Sequence, residues 1–275
     1  MLSKLSGGII MSFLSKVRQA NPLVHNITNI VVANFTANGL LALGASPFMA
    51  DAPEEVEDVA AMSGAVVLNI GTLNEAAIAS MVKAGQAANR HGVPLVLDPV
   101  GAGATPYRTE VTAKLLGELQ LTALRGNVAE VANVAGESWA SKGVDAGAGE
   151  GDVITLANKA ARKLNCVVII TGKEDIISNG TRTYIASNGH SILTKVTGTG
   201  CLLSAVVGAF LAVSSGHMLE AAAEALSFYG VAAEIAADAA EGQGPGSFQV
   251  EFLNQLTLVT PDIYSSRSRL QLLEP

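Results

Sequence analysis

Short apolar runs recur along this 275-residue chain, separated by longer segments in which apolar residues have helical spacing. The clearest runs are residues 65–70, 94–99, 121–127 and 166–171. A strand that is apolar on both faces needs cover on both faces, as the central strands of a parallel sheet have. The pattern predicts an α/β fold in which helices flank a mostly parallel sheet.

Shorter apolar runs predict further strands. Residues 22–24 and 46–50 predict short strands, and the polar string 25–29 predicts a connection to a helix over 30–43. Asn-Gly pairs separate three short apolar pieces at 176–177, 183–185 and 192–193, which we expect to be antiparallel edge strands.

Further helices are predicted over residues 13–20 and 199–213 and, as the last element, over 248–256. The glycine-rich segment 141–151 predicts a surface loop. No repeat or interdomain linker interrupts the pattern, so we expect one domain over residues 1–275, with residues 1–12 peripheral.

Composition excludes several classes of function. A net charge of −7 provides no basic field to attract nucleic acid or an anionic membrane. Aromatic residues make up only 4% of the chain, which provides little surface for stacking bases. The apolar stretch 202–213 is too short to span a bilayer, and the start of the chain, at Met1 or Met11, lacks a signal-peptide pattern. Only Cys166 and Cys201 are present, without CxxC spacing, so we expect a reducing, cytoplasmic location.

Polar and acidic residues follow several of the predicted strands. Asp98 ends one apolar run, and Glu130 lies just beyond Arg125-Gly126-Asn127 at the end of the next. Parallel strands of an open α/β sheet bind ligands at their carboxyl ends. Asp98 and Glu130 carry the oxygen ligands that Mg²⁺ prefers, although each could equally cap a helix or form an ion pair.

The string Gly198-Thr199-Gly200-Cys201 begins an apolar helix that has no acid in its first turn. Free backbone N–H groups at such a helix start can bind an anion, although a glycine turn entering a buried helix has the same local sequence. The P-loop and dinucleotide-binding glycine patterns are missing from their usual positions. An anion site together with candidate metal ligands suits phosphoryl transfer.

Taken together, these strings resemble the hydroxyethylthiazole kinase family of thiamine salvage, within the ribokinase-like superfamily. The resemblance covers about residues 13–256 and is carried by the strings at 22–29, 33–39, 44–47, 97–104, 125–130, 196–201 and 244–247. It implies a ribokinase-like three-layer α/β fold and ATP-dependent phosphorylation of the hydroxyl of 4-methyl-5-(2-hydroxyethyl)thiazole.

The resemblance also implies roles for matching residues. Arg125 and Thr171 would contact ATP, and Asp98 and Glu130 would hold Mg²⁺ at its phosphates. The residues of the anion hole would be Gly198, Thr199, Gly200 and Cys201. Asn29 and Met49 would line the thiazole pocket together with Gly198, although capping of the next helix explains Asn29 equally well from its local sequence. The family's homotrimers, with the pocket between subunits, imply the same assembly here.

Cys201 departs from the superfamily, in which an aspartate usually stands as the base. We expect a helix amino terminus to lower the pKa of its thiol, which could then accept a proton, whereas a small packing residue is the alternative. Two other functions stay open at this point: a kinase for hydroxymethylpyrimidine or another small alcohol, and a nucleotide-binding or thiazole-sensing protein without catalysis.

Overall fold

The computed structural model describes residues 12–137, 139 and 150–273, and it contains one nine-stranded sheet in the order β2-β1-β3-β4-β5-β6-β7-β8-β9. The first six strands in that order are mutually parallel, and the last three are antiparallel. The strands are β1 (Leu23–Ile27), β2 (Ser46–Phe48), β3 (Ala65–Asn69), β4 (Leu95–Asp98), β5 (Ala123–Asn127), β6 (Val167–Thr171), β7 (Asp175–Ser178), β8 (Thr183–Ala186) and β9 (Leu270–Leu273).

Helices cover both faces of this sheet, as the doubly apolar strands predict. They are α1 (Phe13–Ala20), α2 (Ala33–Leu43), α3 (Val56–Met62), α4 (Glu75–His91), α5 (Pro106–Glu118), α6 (Val128–Ala135), α7 (Glu150–Leu164), α8 (Thr199–Ala212), α9 (Met218–Ala239), α10 (Pro245–Leu258) and α11 (Pro261–Arg267). None of the helices in the described ranges has the length and apolarity to cross a membrane.

The core has two parts because successive strand residues point to opposite faces of the sheet. In β4, Val96 packs into the cluster beneath α8 and α9, whereas Leu95 and Leu97 pack into the cluster beneath α4 and α5. The predicted three-layer α/β architecture is therefore confirmed.

Three sequence predictions differ from the structure. The polar residues His25 and Asn26 lie inside β1, both buried, rather than in a connection. Ile192 and Leu193 lie in a 3₁₀ helix over Ser191–Lys195, and the outermost antiparallel strand is β9, which pairs with β8. The helix predicted at 248–256 is not the last element, because α11 and β9 follow α10.

The last two of these differences have a common cause. Any segment that reaches the outermost strand of a sheet can pair with it. Here β9 pairs with β8, although it lies far along the chain from the Asn-Gly turns. The loop predicted at 141–151 and the peripheral segment 1–12 lie almost entirely outside the described residues.

Candidate active site

The carboxyl ends of β1 and β3 to β6 form one edge of the sheet, called the carboxyl edge below. Register places Asn69 beside Asp98 and Asn127 beside Thr171 on neighbouring strands. Helix α8 begins at the same edge, since Ser204, in its second turn, donates a hydrogen bond to Asp98. The predicted convergence of strand ends and glycine-rich helix start is therefore present.

Asp98 is a fully buried carboxylate with one oxygen satisfied and one not. Its Oδ2 accepts hydrogen bonds from Ser204 Oγ at 2.8 Å and Asn69 Nδ2 at 2.9 Å, while Oδ1 has no hydrogen-bond partner in the described part of the chain. Burial raises the pKa of Asp98 to about 6, and the nearby Arg125 guanidinium opposes that rise. A buried acceptor without a donor suits a ligand that brings positive charge or a hydrogen.

Arg125, in β5, provides the positive charge nearest to Asp98. Its Nη1 lies 3.7 Å from Asp98 Oδ2, and its Nη2 donates to Thr171 Oγ1 at 2.7 Å. Its Nε is buried with no acceptor among the described residues. A Cβ on Gly200 would lie 2.8 Å from Nη1, so a glycine there lets the guanidinium lie against the start of α8.

The first turn of α8 has the geometry of an anion site. Gly198, before the helix, has φ +92°, a left-handed conformation that favours glycine, and no side chain of the described residues caps the helix. The Thr199 hydroxyl donates backward to the carbonyl of Leu193 at 3.0 Å. Within the described ranges, no group accepts from the N–H groups of residues 199–201. Three backbone donors are therefore available to a ligand.

Tyr229 supports this turn from behind. Its hydroxyl, fully buried, donates to the Thr199 carbonyl at 2.6 Å. Gly198 faces α2, where an added Cβ would lie 2.7 Å from Val32 Cγ1 and 3.3 Å from Phe35. The position of the α8 start therefore depends on contacts with both α2 and α9.

Cys201 is half-buried, and its Sγ accepts a hydrogen bond from Asn29 Nδ2 at 3.4 Å. Burial and the negative charge of Asp98 raise the pKa of its thiol, outweighing the hydrogen bonds from Asn69 and Asn29 and the Arg125 charge. The predicted lowering of this pKa is therefore wrong. Desolvation and the neighbouring carboxylate act in the direction opposite to the one expected from a helix amino terminus.

Asn69 is a site residue that the sequence analysis did not identify. It is 1% exposed, and its Oδ1 accepts from Asn29 Nδ2 at 3.0 Å while its Nδ2 donates to Asp98. The only available signal was its position as the one polar residue in the run 65–70. Asn29, Asn69 and Asp98 thus form one hydrogen-bonded chain along the carboxyl edge.

Glu130 is already part of a helix cap. Its Oε2 accepts from the Asn127 N–H and its Oε1 from the Gly101 N–H, both at 2.8 Å, and the Asn127 side chain accepts from the Glu130 N–H. This capping box joins the start of α6 to the loop after β4. The Glu130 charge also contributes to raising the pKa of Asp98.

Met49 follows β2, which lies beside β1 at the opposite end of the sheet from β9. Its segment is tied to β1 because the buried His25 donates from Nε2 to the Ala50 carbonyl at 2.8 Å. Met49 and Asn29 thus follow the carboxyl ends of neighbouring strands, and Met49 is partly exposed.

Arg108, in α5, is a second residue that the sequence analysis missed. Its guanidinium donates to the carbonyls of Ile70 at 2.6 Å, Gly71 at 2.8 Å and Val100 at 2.7 Å. These carbonyls belong to the loops after β3 and β4. Arg108 therefore holds together the two loops that follow Asn69 and Asp98.

Comparison with solved structures identifies the class. A ribokinase-like superfamily protein from Enterococcus faecalis V583 matches with a TM-score of 0.62 at 12% identity, covering 92% of this chain and 91% of that one. A pyridoxal kinase from Staphylococcus aureus in complex with ADP matches with a TM-score of 0.56 at 18% identity, over 75% and 86%. The fold is therefore that of the ribokinase-like kinases.

Two closer matches identify the family. The model of the hydroxyethylthiazole kinase family matches residues 14–262. A hydroxyethylthiazole kinase from Pyrococcus horikoshii OT3 is 44% identical, with a TM-score of 0.87, over 95% of this chain and 98% of that one. The chain belongs to the hydroxyethylthiazole kinase family. As a member, it is a kinase that phosphorylates hydroxyethylthiazole with ATP, a reaction of thiamine salvage.

Proposed function

We propose that the carboxyl edge is where the γ-phosphoryl group passes from ATP to the primary hydroxyl of 4-methyl-5-(2-hydroxyethyl)thiazole. The observation that carries the proposal is the juxtaposition of Asp98, Arg125 and the uncapped start of α8. Phosphoryl transfer asks mainly for positioned charges around the moving group, and these three features provide both signs of charge and free N–H donors.

On the nucleotide side, Arg125 is the residue that pairs with ATP phosphates. Thr171 holds its guanidinium, and among the residues that the structure describes the buried Nε has no acceptor, so N–H donors remain for a ligand. Guanidinium groups bind phosphate oxygens strongly and stay charged at all relevant pH values. Thr171 would therefore act both directly and by fixing the Arg125 side chain.

The N–H groups of Thr199, Gly200 and Cys201 form the anion hole for the transferred group. In the described part of the chain these N–H groups have no acceptor, which supports this role, and the left-handed Gly198 allows the chain to turn into α8 there. The Thr199 hydroxyl donates a hydrogen bond to a carbonyl of the 3₁₀ helix, so Thr199 contributes to the anion hole through its backbone N–H.

The residues present fit one Mg²⁺ ion bound largely by ATP. The free Oδ1 of Asp98 is a suitable ligand, and Glu130 lies close enough for its charge to affect Asp98. The described residues contain no group of three or more potential metal-ligating side chains, which agrees with an ion whose other ligands are phosphate oxygens and water. When bound, Mg²⁺ would neutralise charge on the phosphates.

On the acceptor side, Asn29, Met49 and Gly198 line the thiazole pocket. Ile30 and Val31 beside Asn29 are 82% and 68% exposed, although both are apolar. Their exposure next to the pocket supports a homotrimer in which a neighbouring subunit covers this region.

Both cysteines are free, in keeping with a cytoplasmic enzyme.

Cys201 is positioned near the acceptor but is a neutral thiol at neutral pH, because its pKa is raised. We therefore assign Cys201 only a secondary role as acceptor of the hydroxyl proton, since a loose phosphoryl-transfer transition state asks little of a base.

The decisive experiment is a coupled ADP-release assay with three acceptors: the thiazole alcohol, hydroxymethylpyrimidine and a sugar alcohol. We expect turnover with the thiazole alcohol far above the other two. Preference for the pyrimidine would assign a different kinase activity. Binding of nucleotide and thiazole without ADP release would identify a sensor instead.

A further inference from the structure

We propose that Asn69 is a positioning residue that makes Asn29 a hydrogen-bond acceptor toward the substrate and so selects a free hydroxyl group. The inference rests on the proposed function, because it concerns the acceptor side of the same site. It is carried by the directions of the hydrogen bonds around two buried amides.

The orientation of the Asn69 amide is set from both sides. The Gly71 backbone N–H, which can only donate, lies 2.9 Å from Asn69 Oδ1. The Asp98 carboxylate accepts from Asn69 Nδ2 at 2.9 Å. Reversing the amide would place two donors together at one end and two acceptors at the other, so one orientation is strongly favoured.

That orientation determines the orientation of Asn29. Because Asn69 presents Oδ1, Asn29 must present Nδ2 to it, at 3.0 Å. The same Nδ2 group also donates to Cys201 Sγ at 3.4 Å. An amide nitrogen has two hydrogens, so both are used. The atom of the Asn29 amide left for a ligand is Oδ1, to which no group in the described residues donates.

A free acceptor distinguishes between the polar groups of the substrate. A hydroxyethylthiazole carries a ring nitrogen and a ring sulfur, which can only accept, and one hydroxyl, which can donate. Asn29 Oδ1 would therefore bind the hydroxyl hydrogen and leave the oxygen lone pairs toward the phosphoryl group. An ether in place of the alcohol would leave Oδ1 unpaired, which we expect to weaken binding about 10- to 100-fold.

Gly71 supports the same arrangement sterically. A Cβ at Gly71 would lie 2.7 Å from Asn29 Nδ2 and 2.9 Å from both Asn29 Cβ and Cγ. The turn after β3 thus orients Asn69 through its N–H and leaves space for the Asn29 side chain. Gly71→Ala would displace Asn29 while retaining every hydrogen-bonding group.

The test compares the affinity for the substrate alcohol with the affinity for its methyl ether. Calorimetry measures binding of the alcohol, and steady-state kinetics measures inhibition by the ether. The variants are Asn69→Ala, Asn29→Ala and the double variant, with Asn188→Ala as control. Asn188 is a buried amide that hydrogen-bonds Glu234 and Ser227 and makes no hydrogen bond to Asn29, Asn69 or Asp98.

We expect the parent enzyme to prefer alcohol over ether about 10-fold or more and each single variant at the edge to lose that preference. The losses should not add in the double variant, because Asn69 acts through Asn29. The KM for ATP should stay within about twofold in Asn29→Ala, because Asn29 hydrogen-bonds Asn69 and Cys201 and not Asp98, and Asn188→Ala should keep the preference.

Additive losses, or a lower kcat with the alcohol preference intact, would overturn the inference. If Asn69→Ala does not fold, Gly71→Ala replaces it. Gly71→Ala keeps every hydrogen-bonding group but displaces Asn29, so it should lose the preference. A parent enzyme that phosphorylates the thiazole alcohol without discriminating against the ether refutes this inference alone, while absence of thiazole phosphorylation refutes the proposed function.

Discussion

Arg125 Nη1 lies 3.7 Å from Asp98 Oδ2, with the Asp98 side chain fully buried and the Arg125 side chain 13% exposed. The separation exceeds hydrogen-bond length, so the guanidinium offsets the carboxylate charge without satisfying it. The pKa of Asp98 is accordingly raised, not lowered, despite its cationic neighbour. An incompletely neutralised buried charge destabilises the free enzyme and favours a ligand that completes it.

The first prediction concerns Asp98→Asn. The pKa of Asp98 rises from 3.8 in the unfolded chain to about 6 in the folded one, so the folded state loses relative stability as pH rises through that window. Above pH 6 this pKa shift corresponds to a loss of about 3 kcal/mol in the free energy of unfolding. We expect the variant to be inactive. At pH 7.5 its free energy of unfolding should exceed that of the parent by about 1–2 kcal/mol, because lost hydrogen bonds offset part of the gain.

Urea denaturation without magnesium, at pH 4.5 and 7.5, measures this effect. The stability difference between variant and parent should be larger at pH 7.5 than at pH 4.5. A variant that is less stable at both pH values contradicts the account of Asp98 as an unsatisfied charge.

The second prediction is that Arg125→Ala raises the KM for ATP about 10- to 100-fold, since a charge-assisted phosphate contact is lost. The KM for the thiazole alcohol should change much less. Arg90→Ala is the control, because Arg90 pairs with Glu57 on the exposed surface. Unchanged ATP affinity in Arg125→Ala would remove Arg125 from the nucleotide site.

The third prediction separates two roles of Glu130. In Glu130→Gln one of the two N–H groups, of Asn127 or Gly101, loses its acceptor, so stability should fall by about 1 kcal/mol. Asn127→Ala removes the reciprocal half of the cap at a similar cost and leaves the carboxylate. Only Glu130→Gln should raise the Mg²⁺ concentration needed for half-maximal turnover. Equal Mg²⁺ requirements in both variants would limit Glu130 to capping.

The fourth prediction concerns Cys201. Because the pKa of its thiol is raised, little thiolate exists at neutral pH, and an ionised carboxylate is a more available base. Cys201→Asp should therefore retain or raise turnover, and Cys201→Ala should be slower by up to about 100-fold, since Mg²⁺ and the anion hole still act.

Turnover and ATP affinity over a pH series decide the role of Cys201. If Cys201→Ala equals the parent at every pH, Cys201 is a packing residue. If Cys201→Asp loses ATP affinity, repulsion of the γ-phosphate outweighs any gain in basicity.

The fifth prediction is that Arg108→Lys lowers both stability and kcat. A single ammonium cannot reproduce the guanidinium contacts with Ile70, Gly71 and Val100, so we expect a loss of about 1–3 kcal/mol in the free energy of unfolding. Arg162→Lys is the control, since Arg162 donates to a single loop carbonyl, that of Gly180. Equal effects of the two substitutions on kcat would show that the Arg108 contacts do not position the site.

Much of this molecule could be predicted because it depends on local sequence. Continuous apolar runs such as 65–70 predict buried parallel strands, and the structure has β3 there. The start of α8 at Gly198 and Thr199 follows from a glycine string before an apolar stretch. The order of these elements also brings Asp98, Arg125 and Thr171 to one edge, since parallel strands share their direction.

What only the tertiary structure decided involves residues far apart in the chain. Asp98 meets Ser204 and Asn69, and the segment at Leu270–Leu273, rather than Ile192 and Leu193, completes the sheet. The direction of the Cys201 pKa likewise depends on burial and on Asp98, neither of which the string Gly198-Thr199-Gly200-Cys201 contains. Local patterns determine which segments become strands and helices, whereas charge balance and amide orientation depend on which distant groups share a buried space.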